Sequence, residues 1–168
     1  MVKLVYLIPL LPLIGFLLNG LFRKSLPKSM TGIIGCGTLL ASFIISLLIF
    51  FEVKEEGFQA QVINLFPFIE FGKVSISFAF QVDQLSSLFL LIITGVGFLI
   101  HLYSTAYMHE ERGDHFARYF AYLNLFIFFM LLLVLGANYV IMFIGWEGVG
   151  LCSYLLIGYW FKNEEYNN

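Results

Sequence analysis

One acid stands where a membrane helix would ordinarily hold none. In the apolar run that begins at Tyr139, the segment Gly145-Trp146-Glu147-Gly148-Val149-Gly150-Leu151-Cys152-Ser153-Tyr154 carries a single charge, Glu147. At 1.5 Å per residue, that acid lies about 12 Å along the helix from Tyr139, close to the middle of a bilayer. Insertion scales put an Asp, Lys or Arg at a helix centre about 2.5–3.5 kcal/mol above water, and a glutamate is comparable. Protonating a glutamate at pH 7 costs a similar amount, about 3.7 kcal/mol. Because the two costs nearly balance, such a group is poised between charged and neutral forms, which is what a proton carrier requires. The plainer alternative is a glycine-rich packing face on which the acid snorkels or stays protonated.

An opposite charge at the same depth would also relieve the acid, and this chain offers none. Lys162 is fifteen residues on, about 22 Å along the helix, and the other bases lie in connectors. A basic partner for Glu147 must therefore come from another helix. Gly145, Gly148 and Cys152 form one small-residue stripe, with Gly150 and Ser153 flanking it. Small residues let membrane helices approach closely, and here they are expected to leave room for water or a neighbouring side chain beside the carboxylate.

Other polar groups support simpler readings. Asp83 precedes an apolar run and suits an N-cap, with Ser86 in the first turn. His101, with Tyr103 nearby, reads first as an interfacial hydrogen-bonded histidine and second as a proton relay. His109, Arg112, Asp114 and His115 read as a solvated loop. Trp146 and the tyrosines read as packing groups and interfacial anchors. The chain shows no glycine-rich phosphate loop, no metal-ligand spacing and no nucleophile triad, so charge movement is the chemistry that remains.

The elements that must position these groups follow from composition. Of 168 residues, 60% are hydrophobic and 12% charged, about half the charged share of a soluble domain. With a mean hydropathy of +0.90, the chain is expected to be a polytopic, all-α membrane protein. A net charge of −2 offers no basic excess for nucleic acid. Five stretches are long enough to span: about 4–22, 31–51, 84–106, 118–136 and 139–161. Pro9 and Pro12 kink the first, and the absence of a small-residue cleavage site after it argues against a signal peptide. Cys36 and Cys152 sit in apolar runs as packing residues rather than as a disulfide or metal pair.

Arg23, Lys24, Lys28, Arg112, Arg118 and Lys162 fall at one end if the spans alternate, and Lys3, Lys54 and Lys73 fall at the other beside Glu52, Glu55, Glu56 and Glu70. The positive-inside rule then places the N-terminus outside and the C-terminus in the cytoplasm or mitochondrial matrix. Between the second and third spans, Val74, Ile76, Phe78, Phe80 and Val82 alternate with Ser75, Ser77, Ala79 and Gln81, a strand signature. Leu65 to Glu70 supplies the partner and Phe71-Gly72-Lys73 the turn, predicting a β-hairpin over about 65–82 on the outer side. Two strands alone are marginal in water, so the hairpin must pack on its own helices or on a neighbour.

The segment Gly145 to Gly158 resembles the fifth-helix signature of the large, L-type (chain 5) antiporter-like subunits of respiratory complex I. Phe80-Gln81-Val82-Asp83-Gln84-Leu85-Ser86 is similar to the start of that family's third helix. His101 to Met108 and Phe116 to Phe126 resemble its third- and fourth-helix segments, so the likeness covers essentially the whole chain. It implies a subunit that couples NADH oxidation and quinone reduction to proton pumping, with Glu147 as the key glutamate. Its partner would be a lysine on a later helix, beyond Asn168. The resemblance also implies that NADH, FMN, iron–sulfur clusters and quinone are bound by other subunits, and no cofactor by this chain. Partners would be other membrane subunits, neighbouring antiporter-like ones above all, in a bacterial cytoplasmic or mitochondrial inner membrane. Family members have a dozen or more helices, so residues 1–168 are expected to be one membrane domain, the N-terminal part of a longer subunit. The large subunits of Mrp-type Na⁺/H⁺ antiporters and of membrane-bound hydrogenases share these motifs, and a purely structural fragment is the remaining alternative.

Overall fold

The computed structural model describes residues 2–55 and 57–160. A short 3-10 turn, Val2–Leu4, leads into α1 (Leu7–Leu21), followed by α2 (Lys28–Val53). Strands β1 (Gln61–Phe71) and β2 (Val74–Val82) come next, then α3 (Gln84–Tyr107), α4 (Gly113–Leu135) and α5 (Tyr139–Ile157). Among the described residues, five helices are long and apolar enough to cross a membrane. The hairpin lies between the second and third of them, so the fold is a polytopic helical one.

Several boundaries differ from the sequence reading. The fourth helix begins at Gly113 rather than near 118, so Asp114 and His115 belong to its first turn and not to a loop. An acid in a first turn faces the positive end of the helix dipole, which favours the earlier start. The hairpin is longer than expected, because β1 starts at Gln61. Phe71 closes β1 instead of joining the turn, and Gly72 turns the chain with φ +59°, a conformation that costs glycine little. The fifth helix ends at Ile157, while Phe161 and Lys162 lie outside the described residues, as does Glu56.

The first helix carries Pro12 in its interior without ending there. Proline lacks the N–H that would bond the carbonyl four residues back, here that of Ile8. The Ser42 hydroxyl of α2 donates to that carbonyl at 2.9 Å, so the acceptor orphaned in α1 is satisfied from its neighbour. Close approach makes this reach feasible. A Cβ on Gly15 would meet Thr38 Oγ1 at 2.8 Å, and one on Gly35 would meet Phe120 Cδ1 at 2.7 Å.

The central element is α4, which packs against α1, α2, α3 and α5. By contrast, α5 packs chiefly on α4 alone. At the basic end, Lys28 Nζ of α2 donates to the carbonyl of His109 just beyond α3 at 2.8 Å. The Tyr159 hydroxyl donates to the carbonyl of His115 at 2.6 Å, and burial pushes that hydroxyl up to about 12. At the opposite end the Val2 N–H donates to Glu52 at 3.0 Å. These contacts bring the α1–α2 and α3–α4 connectors to one end of the bundle, with Arg23, Lys24, Lys28 and Arg112.

The hairpin is fixed by the break between α4 and α5. The Ala137 N–H donates to the carbonyl of Ala79 at 3.0 Å, Phe80 bridges Gly136, and Asn138 Nδ2 donates to the carbonyl of Ser77 at 2.9 Å. Register shifts around Leu65 and Phe68 mark bulges in β1, between which Pro67 sits opposite Ser77. Proline, which cannot donate to a ladder, is tolerated beside a bulge on an edge strand.

Candidate functional site

Glu147 lies eight residues into α5, and its side chain is exposed on the surface of the five-helix bundle. Its orientation follows from what α5 packs against α4. Gly145, Gly148 and Cys152 are buried. A Cβ on Gly145 would lie 2.5 Å from the Leu133 nitrogen, and one on Gly148 would overlap the Phe129 ring. The glycine stripe is thus the face on which α4 rests. The expectation that it leaves room beside the carboxylate is corrected by this geometry: that space is filled by Leu133 and Phe129.

Glu147 belongs to the other face. Met142, Phe143, Trp146, Glu147, Leu151 and Tyr154 are exposed at the three- and four-residue spacings that form one helical stripe. No hydrogen bond or ion pair joins Glu147 to another group among the described residues. The carboxylate therefore sits in the middle of an otherwise apolar stripe, directed away from its own bundle. Trp146, 68% exposed, shares that stripe deep within the span and not at its edge, which corrects its reading as an interfacial anchor.

His101 is placed quite differently. It is fully buried in the last two turns of α3, with Nδ1 2.8 Å from the Gly97 carbonyl. That contact assigns the Nδ1 proton as the donor and leaves Nε2, which is buried, without a partner among the described residues. Its ring stands edge-on to Phe120 of α4 at 5.9 Å. Phe120 is nine residues from Phe129, which touches the Gly148 face of α5, and nine residues are two and a half turns. His101 and α5 consequently contact opposite sides of α4. The two candidate titrating groups are not brought together. Tyr103 does not join His101 either; it is exposed and stacks on Tyr107.

Asp83 is the N-cap of α3 in a full capping box, accepting from Ser86 N at 2.7 Å while Ser86 Oγ accepts from Asp83 N at 2.8 Å. The Ser86 backbone N–H holds its carboxyl below the usual range. Asn138 caps α5 through its side chain alone, accepting from Ile141 N at 3.1 Å. Asn138 falls between the spans 118–136 and 139–161, and an Asn just before an apolar run is a helix-start signal. Asn124 carries no such signal. It is fully buried in α4, bonds the Phe120 carbonyl at 2.9 Å through Nδ2, and accepts from Thr38 of α2 at 3.2 Å.

Comparison with known proteins decides the family. A profile described as "NADH-Ubiquinone oxidoreductase (complex I), chain 5 N-terminus" matches residues 68–120. A second, "NADH:quinone oxidoreductase/Mrp antiporter, TM", matches residues 136–168, which include Glu147. The chain belongs to the complex I chain 5, or subunit L, family. It is 40% identical over 161 residues to NADH-quinone oxidoreductase subunit L of Rickettsia conorii, covering 96% of this chain and 24% of that protein. Identity to subunit L of Escherichia coli is 40% over 156 residues, covering 93% of this chain and 25% of the relative. To NADH-ubiquinone oxidoreductase chain 5 of Metridium senile it is 43% over 156 residues, 93% of this chain and 26% of the relative. The chain thus spans about a quarter of the length of the curated relatives it matches. With bacterial and mitochondrial relatives and five candidate spans, it is a multi-pass inner-membrane protein.

Proposed function

We propose that the chain contributes five membrane helices to a proton-translocating subunit of NADH-quinone oxidoreductase, and that Glu147 is the acid that takes up and releases the proton. The observation that carries this reading is the position of Glu147: mid-span, on the face of α5 that α4 leaves uncovered, within the segment matched by the antiporter profile. The acid's counter-charge would come from a helix outside α1–α5, belonging to the same subunit or to a neighbour in the assembly.

The physical logic is a two-state one. A base about 4 Å away, at an effective dielectric constant near 20, stabilises the carboxylate by about 4 kcal/mol. At mid-span the cost of burying the charge, about 2.5–3.5 kcal/mol, offsets most of the cost of protonating a glutamate at neutral pH, about 3.7 kcal/mol. The presence or withdrawal of a base is therefore the term that shifts Glu147 between its two forms. Electron transfer has no place in this chain on this reading. NADH, FMN, iron–sulfur clusters and quinone would be held by other subunits, and the redox energy would arrive as displacement of charge. His101, on the far side of α4, is given no transfer step.

Glu147→Gln in the complete complex tests the proposal. Assembly is expected to survive, because the side chain is exposed and makes no hydrogen bond or ion pair among the described residues, while proton pumping is lost or coupled turnover falls severely. Normal pumping by that variant in reconstituted vesicles would refute it. The second profile's description also names Mrp antiporters, which supports the sodium–proton exchange reading as the alternative. Proton movement that requires a sodium gradient, and not quinone reduction, would favour it. A purely structural role predicts unchanged transport in Glu147→Gln.

A further inference from the structure

At the basic end of the bundle, a crevice of about 410 Å³ opens between α2 and α3. Its lining is sorted by depth. Lys28 and Ser29, the first two residues of α2, and His109, just past the end of α3, stand at its mouth. Ile33, Cys36 and Leu102 form its walls, with Cys36 about 12 Å further along α2 than Lys28. Ile33 and Leu102 are 65% and 52% exposed, so the crevice opens on the outer surface of the five-helix bundle and not into its interior. A polar mouth at helix-end level above an apolar floor matches an amphiphile lying parallel to the helices.

The charge at the mouth selects among amphiphiles. Lys28 is the basic residue in the lining; the connector before it adds Arg23 and Lys24, and Glu111 beyond His109 is engaged by Trp160 Nε1 at 2.7 Å. The Lys28 ammonium spends one donor on the His109 carbonyl at 2.8 Å, and an ammonium has three. The N-cap of α2 is Pro27, which makes no side-chain cap, and the first turn of α2 holds no acid. The N–H groups of that turn and the positive end of a 26-residue helix therefore add to the same site. By contrast α3 and α5 are capped by Asp83 and Asn138, and α4 has Asp114 in its first turn.

We propose that this crevice binds an anionic phospholipid from the leaflet at the basic end. Its phosphate sits at Lys28 and the start of α2, and one acyl chain runs along Ile33, Cys36 and Leu102. A basic pocket between helices at that membrane face is the arrangement that holds acidic headgroups. The site is remote from Glu147 and does not depend on its role.

Native mass spectrometry of the full chain in neutral detergent, offered phosphatidylglycerol and phosphatidylcholine together, tests the proposal. The expected result is selective retention of phosphatidylglycerol, weakened about fivefold by Lys28→Gln, the effect of one base near an anionic headgroup. Lys54→Gln, at the opposite end, should leave retention unchanged. Leu102→Trp, which fills the apolar wall without altering charge, should also lower it, whereas diffuse attraction to a basic surface would not respond. Circular dichroism confirms that each variant keeps its helices. Equal retention of the two lipids, equal loss in Lys54→Gln, indifference to Leu102→Trp, or a lipid-free dimer whose contact covers this crevice would each overturn the assignment.

Discussion

The interior of α1–α4 and the outer face of α5 solve the same problem in opposite ways. Both place polar side chains at membrane depth. Inside α1–α4 several groups find partners within the chain: Ser42 serves the carbonyl that Pro12 cannot, Thr38 meets Asn124, and His101 Nδ1 meets Gly97, while His101 Nε2 and Asn19 Oδ1 stay buried without one. On α5, Glu147 is turned away from the bundle toward whatever covers that helix. The difference separates polar groups that hold the fold from one that finds no hydrogen bond or ion pair among the described residues. Glu147 is set apart by carrying an acid at mid-span on the face that α4 leaves uncovered, which makes it the candidate for work.

Variants can break that contrast, beginning with the largest effect. Gly148→Leu drives a side chain into the Phe129 ring and is expected to unseat α5 at a cost of about 3 kcal/mol or more. Glu147→Gln, one residue away, should move stability by less than about 0.5 kcal/mol. Unfolding of both in mixed micelles, followed by circular dichroism, compares the two faces of one helix directly. A large loss in Glu147→Gln would mean that the acid belongs to the fold after all.

Asn124→Ala removes the link between α2 and α4 and should cost about 1 kcal/mol, within the range for membrane hydrogen bonds. A double-mutant cycle with Thr38→Val isolates the pair, and additive effects would show that it contributes nothing. Asp83→Ala should cost a comparable amount, about 1 kcal/mol, through loss of the cap on α3. Since the folded-state carboxyl is held below its usual range by the Ser86 N–H, its contribution is present above the ordinary carboxylate range and disappears as pH falls through the folded value. Acid titration of helicity in wild type and Asp83→Asn should converge at low pH and diverge near neutrality. Ser42→Ala, which strands only the Ile8 carbonyl, is expected to cost the least, about 0.6 kcal/mol.

Much of the frame was legible in the sequence. Hydropathy located the spans because bilayer thickness demands them, alternation marked the hairpin, and Asp83 with Ser86 announced the cap of α3. What escaped was which side of each helix faces what. Leu, Ile and Phe suit lipid and protein equally, so a helix that is apolar all round, such as α5, carries no stripe to orient it. The small residues Gly145 and Gly148 were visible as a packing face, but not that α4 would fill it. Asn124 is hard to single out from sequence, because a neutral amide in an apolar helix costs less than a charge and signals less. The start of α4 escapes the sequence because Asp114 and His115 look like loop residues until the helix dipole is considered.

The central claim is that the acid acts from the uncovered face of α5, and relocating it tests this most directly. Phe143 lies one turn from Glu147 on that face and is 62% exposed, whereas Ile144 turns toward α4 and packs with the core. Proton pumping should be measured in reconstituted complex for Glu147→Gln alone and for Glu147→Gln combined with Phe143→Glu or Ile144→Glu. The account predicts loss in the single variant, partial recovery with Phe143→Glu, and none with Ile144→Glu in correctly assembled complex. Undiminished pumping by Glu147→Gln, or recovery indifferent to the face that carries the acid, would contradict it.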